Sequence, residues 1–182
     1  MSTATAQPLA TGAWALDTVH SHVGFAVRHM VVSTFRGRFE DYDGRLVVAE
    51  DGTPRLEGAV RVDSIQVKDE NLAAHLRTPD FFDGERYPEI RFASEEIRVR
   101  DGELELEGEL TIKDHTRRVT ARGTIDGPHT DIAGNEKLGV ELEALIDRRE
   151  FGLEWNAPLP KGGFALDNDV TLQVSLELVR EA

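Results

Sequence analysis

Three side chains able to ligate a metal or take part in nucleophilic chemistry stand together at His20-Ser21-His22. On a regular strand His20 and His22 leave by the same face, which is how some β-barrel metal sites begin. A third ligand would have to be His29 or His75, but His29 has odd parity relative to His22. No H-x-x-x-H spacing or nearby carboxylate completes the set. The residues therefore point to hydrogen bonding in the wall or at its rim, and no metal is expected. Ser21 and His20 are adjacent, so on a strand they point apart and do not form a nucleophile–base pair.

The other candidates are as spare. Glu103, Glu105, Glu107 and Glu109 lie on one face of a strand and read as solvated surface, because acid–base work needs opposed carboxylates in a cleft. Arg148-Arg149 is able to grip a phosphate or carboxylate, yet such pairs are more often surface ion pairs. Phe81-Phe82 either seals a helical insertion against the rest of the fold or closes over an apolar ligand, and the two roles are compatible. The chain has no G-x-S-x-G, H-E-x-x-H, G-x-G-x-x-G or P-loop motif, and no cysteine. No catalytic residue is assigned, the protein is not expected to be an enzyme, and no cofactor is required.

What must position these side chains is mostly strand. Glu103–Ile112 places Leu104, Leu106, Leu110 and Ile112 on one side, and residues 170–178 repeat the alternation. Residues 12–17 and 22–30 read as two strands, the second with Val23, Phe25, Val27 and His29 on one side. Residues 34–39 and 45–49 suggest a hairpin about Asp41-Tyr42-Asp43-Gly44. Residues 56–67 read as one long strand. Residues 69–77 have helical composition with Asp69 as cap, and Thr78-Pro79 resembles a second helix start. Strands follow at 90–94, 97–100, 103–112, 117–126, 138–147 and 170–179. About eight strands and one helical insertion near residues 69–83 predict an all-β fold, a sheet that closes on itself or packs on a second sheet. A closed sheet of this size can hold one apolar molecule. Residues 1–11 read as a flexible N-terminal tail, and residues 12–182 as a single domain.

The formal net charge of −13 and pI near 4.9 repel phosphate backbones, so no nucleic acid is expected. No polybasic segment favours lasting residence on anionic lipid, so membrane contact should be at most transient. No basic n-region followed by an apolar h-region opens the chain, which favours a cytoplasmic location.

The order of features resembles the YceI-like family. Trp14-x-Leu16-Asp17-x-x-His20-Ser21-x-Val23-x-Phe25-x-Val27-x-His29 and Phe35-Arg36-Gly37-x-Phe39 resemble its opening. His75-Leu76-Arg77-x-Pro79-Asp80-Phe81-Phe82-Asp83, then Tyr87-Pro88-x-Ile90-x-Phe92-x-Ser94, look like its most recognisable block. Gly108-x-Leu110-Thr111-Ile112-Lys113 and Arg148-x-x-Phe151-Gly152-Leu153 match later signatures. Leu72 and Ala73 depart from the Arg-Asp the family often has before the His-Leu pair, and Asp114 stands at a turn position where glycine is usual. The resemblance implies an extended, lipocalin-like antiparallel barrel that binds a polyisoprenoid lipid, such as an isoprenoid quinone or a polyprenyl phosphate, in an apolar channel. It also implies a homodimer by analogy.

With that fold, Val23, Phe25, Val27, Ile65, Leu76, Phe81, Phe82 and Phe92 are the expected channel lining. Asn71, His75 and Arg77 are the expected polar groups at its mouth. The expected role is carriage, storage or sequestration without chemistry. Two alternatives stay open: an enzyme acting on a small apolar or lipid substrate through His20, His22 or His75, and a barrel filled by its own side chains that serves as an interaction module.

Overall fold

The computed structural model describes residues 8–182. Residues 1–7 of the expected tail lie outside the described residues. Leu9 and Ala10 already pack against the core, and Trp14 Nε1 donates to Ala10 O. The strands are β1 (Gly12–His29), β2 (Ser33–Phe39), β3 (Tyr42–Val48), β4 (Pro54–Arg61), β5 (Ile65–Gln66), β6 (Glu89–Arg100), β7 (Glu103–Ile112), β8 (His115–Thr130), β9 (Glu136–Asp147) and β10 (Leu166–Arg180). Helix α1 (Glu70–Arg77) lies between β5 and β6.

β10 pairs back onto β1, so the sheet closes. β2 and β3 both pair with β1, at Phe39↔Val23 and Leu46↔Trp14, which makes them successive halves of one stave. β4 and β5 are likewise halves of the next stave, facing β3 and β2. The ten strands therefore form a closed eight-staved antiparallel barrel in meander order.

The hairpin expected about Asp41–Gly44 is thus replaced by a bend. Only Glu40 and Asp41 leave the ladder, and Gly44 pairs with Gly58 inside it. The inward parity of Tyr42 and Leu46 carries the stave onward along β1. The strand expected over 56–67 breaks opposite that bend in a 3-10 turn at Val62–Ser64. β1 is one strand of 18 residues, but its register on β10 slips between Asp17 and His22. Three neighbouring staves are therefore irregular at one level, as a sharply curved wall requires. Tyr42 Oη stitches that level by donating to Thr18 O (3.2 Å) and Ser21 O (2.5 Å).

Helix α1 starts as expected: the Asp69 carboxylate accepts from Leu72 N–H at 2.9 Å. No second helix follows. Thr78 N–H and Oγ1 both bond to His75 O, Asp83 turns left-handed (φ 50°), and residues 78–86 run as turns that carry Phe81 and Phe82 inward. In the β7–β8 turn the left-handed residue is Lys113 (φ 58°), not Asp114.

Two apolar clusters line the two halves of the barrel. One centres on Trp14, Leu46, Leu106, Leu138 and Leu178. The other joins Phe39, Ile65, Ile112 and Phe151 to Leu76 of the helix and Phe81 beyond it. Outside, the glutamate face of β7 is an ion-pair ladder, with Arg98 and Arg122 on Glu105 and Arg118 on Glu107.

Candidate functional site

Between the two clusters runs a cavity of about 470 Å³, within the range of small-molecule sites. Its wall follows from the period of two: Val23, Phe25 and Val27 of β1 face it, and Val170, Leu172 and Val174 of β10 answer across the seam. Val23, Phe25 and Leu172 are inward-facing yet only half-buried, because their inner surfaces look into the cavity. Gly44 and Gly58, partners across β3 and β4, also face inward and widen the space.

One side is aromatic. Phe25 lies 6.3 Å from Phe35 and 6.1 Å from Phe39, and Phe39 meets Phe82 edge-on at 6.1 Å. Under the helix, His75, Phe81 and Trp155 form a second group with centroids 5.0–5.3 Å apart. Such tilted and edge-on pairs stiffen an apolar wall.

Three polar side chains that edge the cavity, His75, Tyr42 and Arg148, are committed elsewhere. His75 Nε2 is 2.9 Å from Asp80 Oδ2, and Tyr42 Oη serves the β1 bulge. Burial raises the Tyr42 phenol above its ordinary value, with the charges of Glu40 and Asp17 adding to the effect. Arg148 is only 4% exposed and is caged by carbonyls: Nε donates to Asp167 O, and Nη1 to Leu153 O and Trp155 O. Desolvation lowers its guanidinium from the usual range. The surface ion pair expected at this dipeptide is formed by Arg149 with Asp147, and Arg148 is instead an internal brace.

Of the residues nominated from sequence, Val23, Phe25, Val27, His75, Leu76, Phe81, Phe82 and Phe92 border the cavity. Ile65 does not: it is fully buried in the core below the helix. Asn71 is exposed on α1 and away from the lining. Arg77 also lies off the lining, its Nη2 3.4 Å from Ile65 O. The sequence reading missed Phe35, Phe39, Leu72 and Trp155. Leu72 stands at one of the departures from the family pattern, and it brings an apolar side chain to the lining there.

His20-Ser21-His22 lies away from the cavity, in and beside the β1 bulge. His20 Nδ1 bonds Asp17 Oδ2 at 2.9 Å, which raises the imidazole and lowers the carboxyl from their ordinary values. Asp17, His20 and Glu177 bring ligand atoms within 4.8 Å of one another, a grouping the regular-strand parity hid. The Lys137 ammonium lies 2.5 Å from Glu177 and 3.8 Å from Asp17, so a side-chain cation already serves these carboxylates. Ser21 Oγ accepts from Glu177 N–H at 2.9 Å and so closes the seam. His22 is not part of this group and folds over Gly24.

A family model described as "YceI-like domain" matches residues 14–178. A UPF0312 protein of Staphylococcus epidermidis is 29% identical over 164 residues, covering 88% of this chain and 94% of that protein. Among solved structures, BcnA of Burkholderia cenocepacia superposes with a TM-score of 0.75 at 19% identity, over 89% of this chain and 98% of that one. A structure described as a polyisoprenoid binding domain from Saccharophagus degradans, implicated in plant cell wall breakdown, gives a TM-score of 0.69 at 11% identity, over 92% and 98%. No helix among the described residues is long and apolar enough to cross a membrane.

Proposed function

We propose that this chain, which belongs to the YceI-like domain family, holds the hydrocarbon tail of a polyisoprenoid lipid inside its barrel and shields it from water without altering it. The observation that carries this reading is the cavity itself: about 470 Å³, walled by inward-facing apolar residues of which Val23, Phe25 and Leu172 remain half-buried. A barrel filled by its own side chains would leave no such space. A ten-carbon stretch buried there contributes about 8 kcal/mol gross at about 0.8 kcal/mol per carbon, near the scale of micromolar affinity before ordering costs. The polyisoprenoid-binding domain of the same fold supports the ligand class. The commitment of Tyr42, His75 and Arg148 to protein partners favours holding over turnover.

The test is to purify the protein from its native host, extract it with organic solvent and identify the extract by mass spectrometry. A stoichiometric isoprenoid quinone or polyprenyl phosphate is the expected result. A clean protein mass, with no thermal shift on adding either lipid, overturns the reading.

A further inference from the structure

At the end of the barrel where the cavity reaches His29, Phe35, Ala165 and Leu166, the chain projects an apolar tip. The β1–β2 turn is Met30-Val31-Val32, exposed by 42%, 69% and 81%, and Phe164 beside it is 59% exposed. Met30 N–H donates to Ala165 O at 2.8 Å, so the turn and the Phe164 loop form one surface.

Neither hydration nor backbone preference explains these residues. Met30 (φ 51°) and Val31 (φ 65°) are both left-handed, a conformation that asparagine or glycine takes readily and a β-branched residue resists. Bulky apolar side chains thus stand in water on a strained turn, at the edge of an apolar cavity.

The two stretches of chain that form the tip differ in charge from the rest of the sequence. The chain carries 34 acidic residues, yet none lies between Thr18 and Phe39 or between Trp155 and Leu166. Those two stretches hold Arg28, Arg36, Arg38 and Lys161. Arg38 is paired with Glu40, while Arg28 Nη2 donates to Val31 O at 2.6 Å and braces the turn. Behind the His29–Leu166 pair, Asp167 is the nearest acid on β10. Arg28, Arg36 and Lys161, all exposed, outnumber it and Asp169, the next acid along β10.

We propose that this tip seats the open end of the barrel on an anionic lipid bilayer. The valines and Phe164 enter the interface, the basic residues meet the headgroups, and the cavity mouth faces the acyl region. This inference rests on the lipid-holding reading above and names how a water-insoluble tail enters without crossing solvent. Contact of this kind is compatible with a net charge of −13, because the remaining surface is repelled and keeps the encounter brief.

The experiment is flotation of the full chain with phosphatidylcholine vesicles and with vesicles that also contain phosphatidylglycerol. The wild type should float with the anionic vesicles and lose most of that binding at high salt. The Val31→Asn, Val32→Ser variant should bind them about tenfold more weakly. Asparagine relieves the left-handed strain at position 31, so this variant should melt no lower than the wild type, which separates lost docking from lost folding. Equal binding of variant and wild type, equal binding to neutral and anionic vesicles, or no vesicle binding at all overturns the proposal. Farnesol binding in vesicle-free solution is read in parallel. A variant that still binds farnesol but no longer floats supports a docking tip distinct from the cavity. Flotation with no farnesol binding leaves the tip standing and counts against the cavity reading alone.

Discussion

Replacing Gly58 by leucine should shorten the lumen without unfolding the barrel. Gly58 faces inward opposite Gly44, and a Cβ there meets only Asp43 O at 3.1 Å and Gly44 Cα at 3.8 Å. The backbone must give by a few tenths of an ångström, and the remaining carbons then project into the cavity. Leucine adds four carbons, roughly the bulk of one isoprene unit, so a bound tail must withdraw by about five carbons. At about 0.8 kcal/mol per carbon this costs about 4 kcal/mol, or about 1,000-fold in Kd. Gly58→Ala removes the room of about one carbon and should cost only about fourfold. Titration with a long-chain isoprenoid quinone, followed by quenching of Trp155 at the cavity edge, reads both affinities. Thermal melting checks that each variant folds. A folded Gly58→Leu protein that binds with wild-type affinity and chain-length preference would refute a tail running past the Gly44–Gly58 pair.

Gly123→Ala should damage the fold itself, because the new Cβ falls 1.8 Å from Glu141 O on the partner strand. A loss of about 3 kcal/mol and a Tm lower by roughly 6–12 °C are expected, and an unchanged Tm contradicts the close approach. Arg148→Met orphans the carbonyls of Leu153, Trp155 and Asp167 and should cost about 3–5 kcal/mol in urea denaturation. Arg148→Lys should rescue little, since one ammonium does not span that fork, and full rescue by lysine would refute the cage. His20 is raised above 6.5 by its bond to Asp17, so its stabilisation is complete below that pH and is lost as pH rises through the raised value. The lowered Asp17 carboxyl contributes above 3.8 and loses its effect as pH falls through its folded value. An NMR titration should place the His20 midpoint above 6.5 in the wild type and nearer 6.5 in Asp17→Asn; a wild-type midpoint at or below 6.5 rules out the pair.

Alternation made the all-β class legible in the sequence, and it put Val23, Phe25 and Val27 on the inner face, where they stand. The Asp69 cap was equally plain, because capping is a contact between near neighbours in sequence. Parity failed where the ladder breaks. Ile65 follows the 3-10 turn, so its face does not continue from β4, and it enters the core instead of the lumen. His20 sits in a bulge and therefore meets Asp17 and Glu177, a contact no period of two foresees. Asp43-Gly44 has hairpin chemistry, yet its neighbours found a longer partner in β1, and local turn preference yielded to the ladder. Trp155 reaches the cavity only because the Arg148 cage folds an irregular loop back beneath α1, which depends on carbonyls rather than side-chain pattern.

The meander order also fixes how the molecule responds to force. Every stave pairs with its neighbours in sequence except at the β1–β10 seam, where Trp14 lies opposite Arg180 and Glu181 N–H bonds Ala13 O. Tension applied at residues 12 and 180 therefore peels an antiparallel ladder one rung at a time instead of shearing many bonds together. The first real resistance comes at the bulge, where Ser21 Oγ accepts from Glu177 N–H across the break. A wall that is closed to diffusion thus carries a zip, and its catch lies beside the crease, not at the corner where the pull begins.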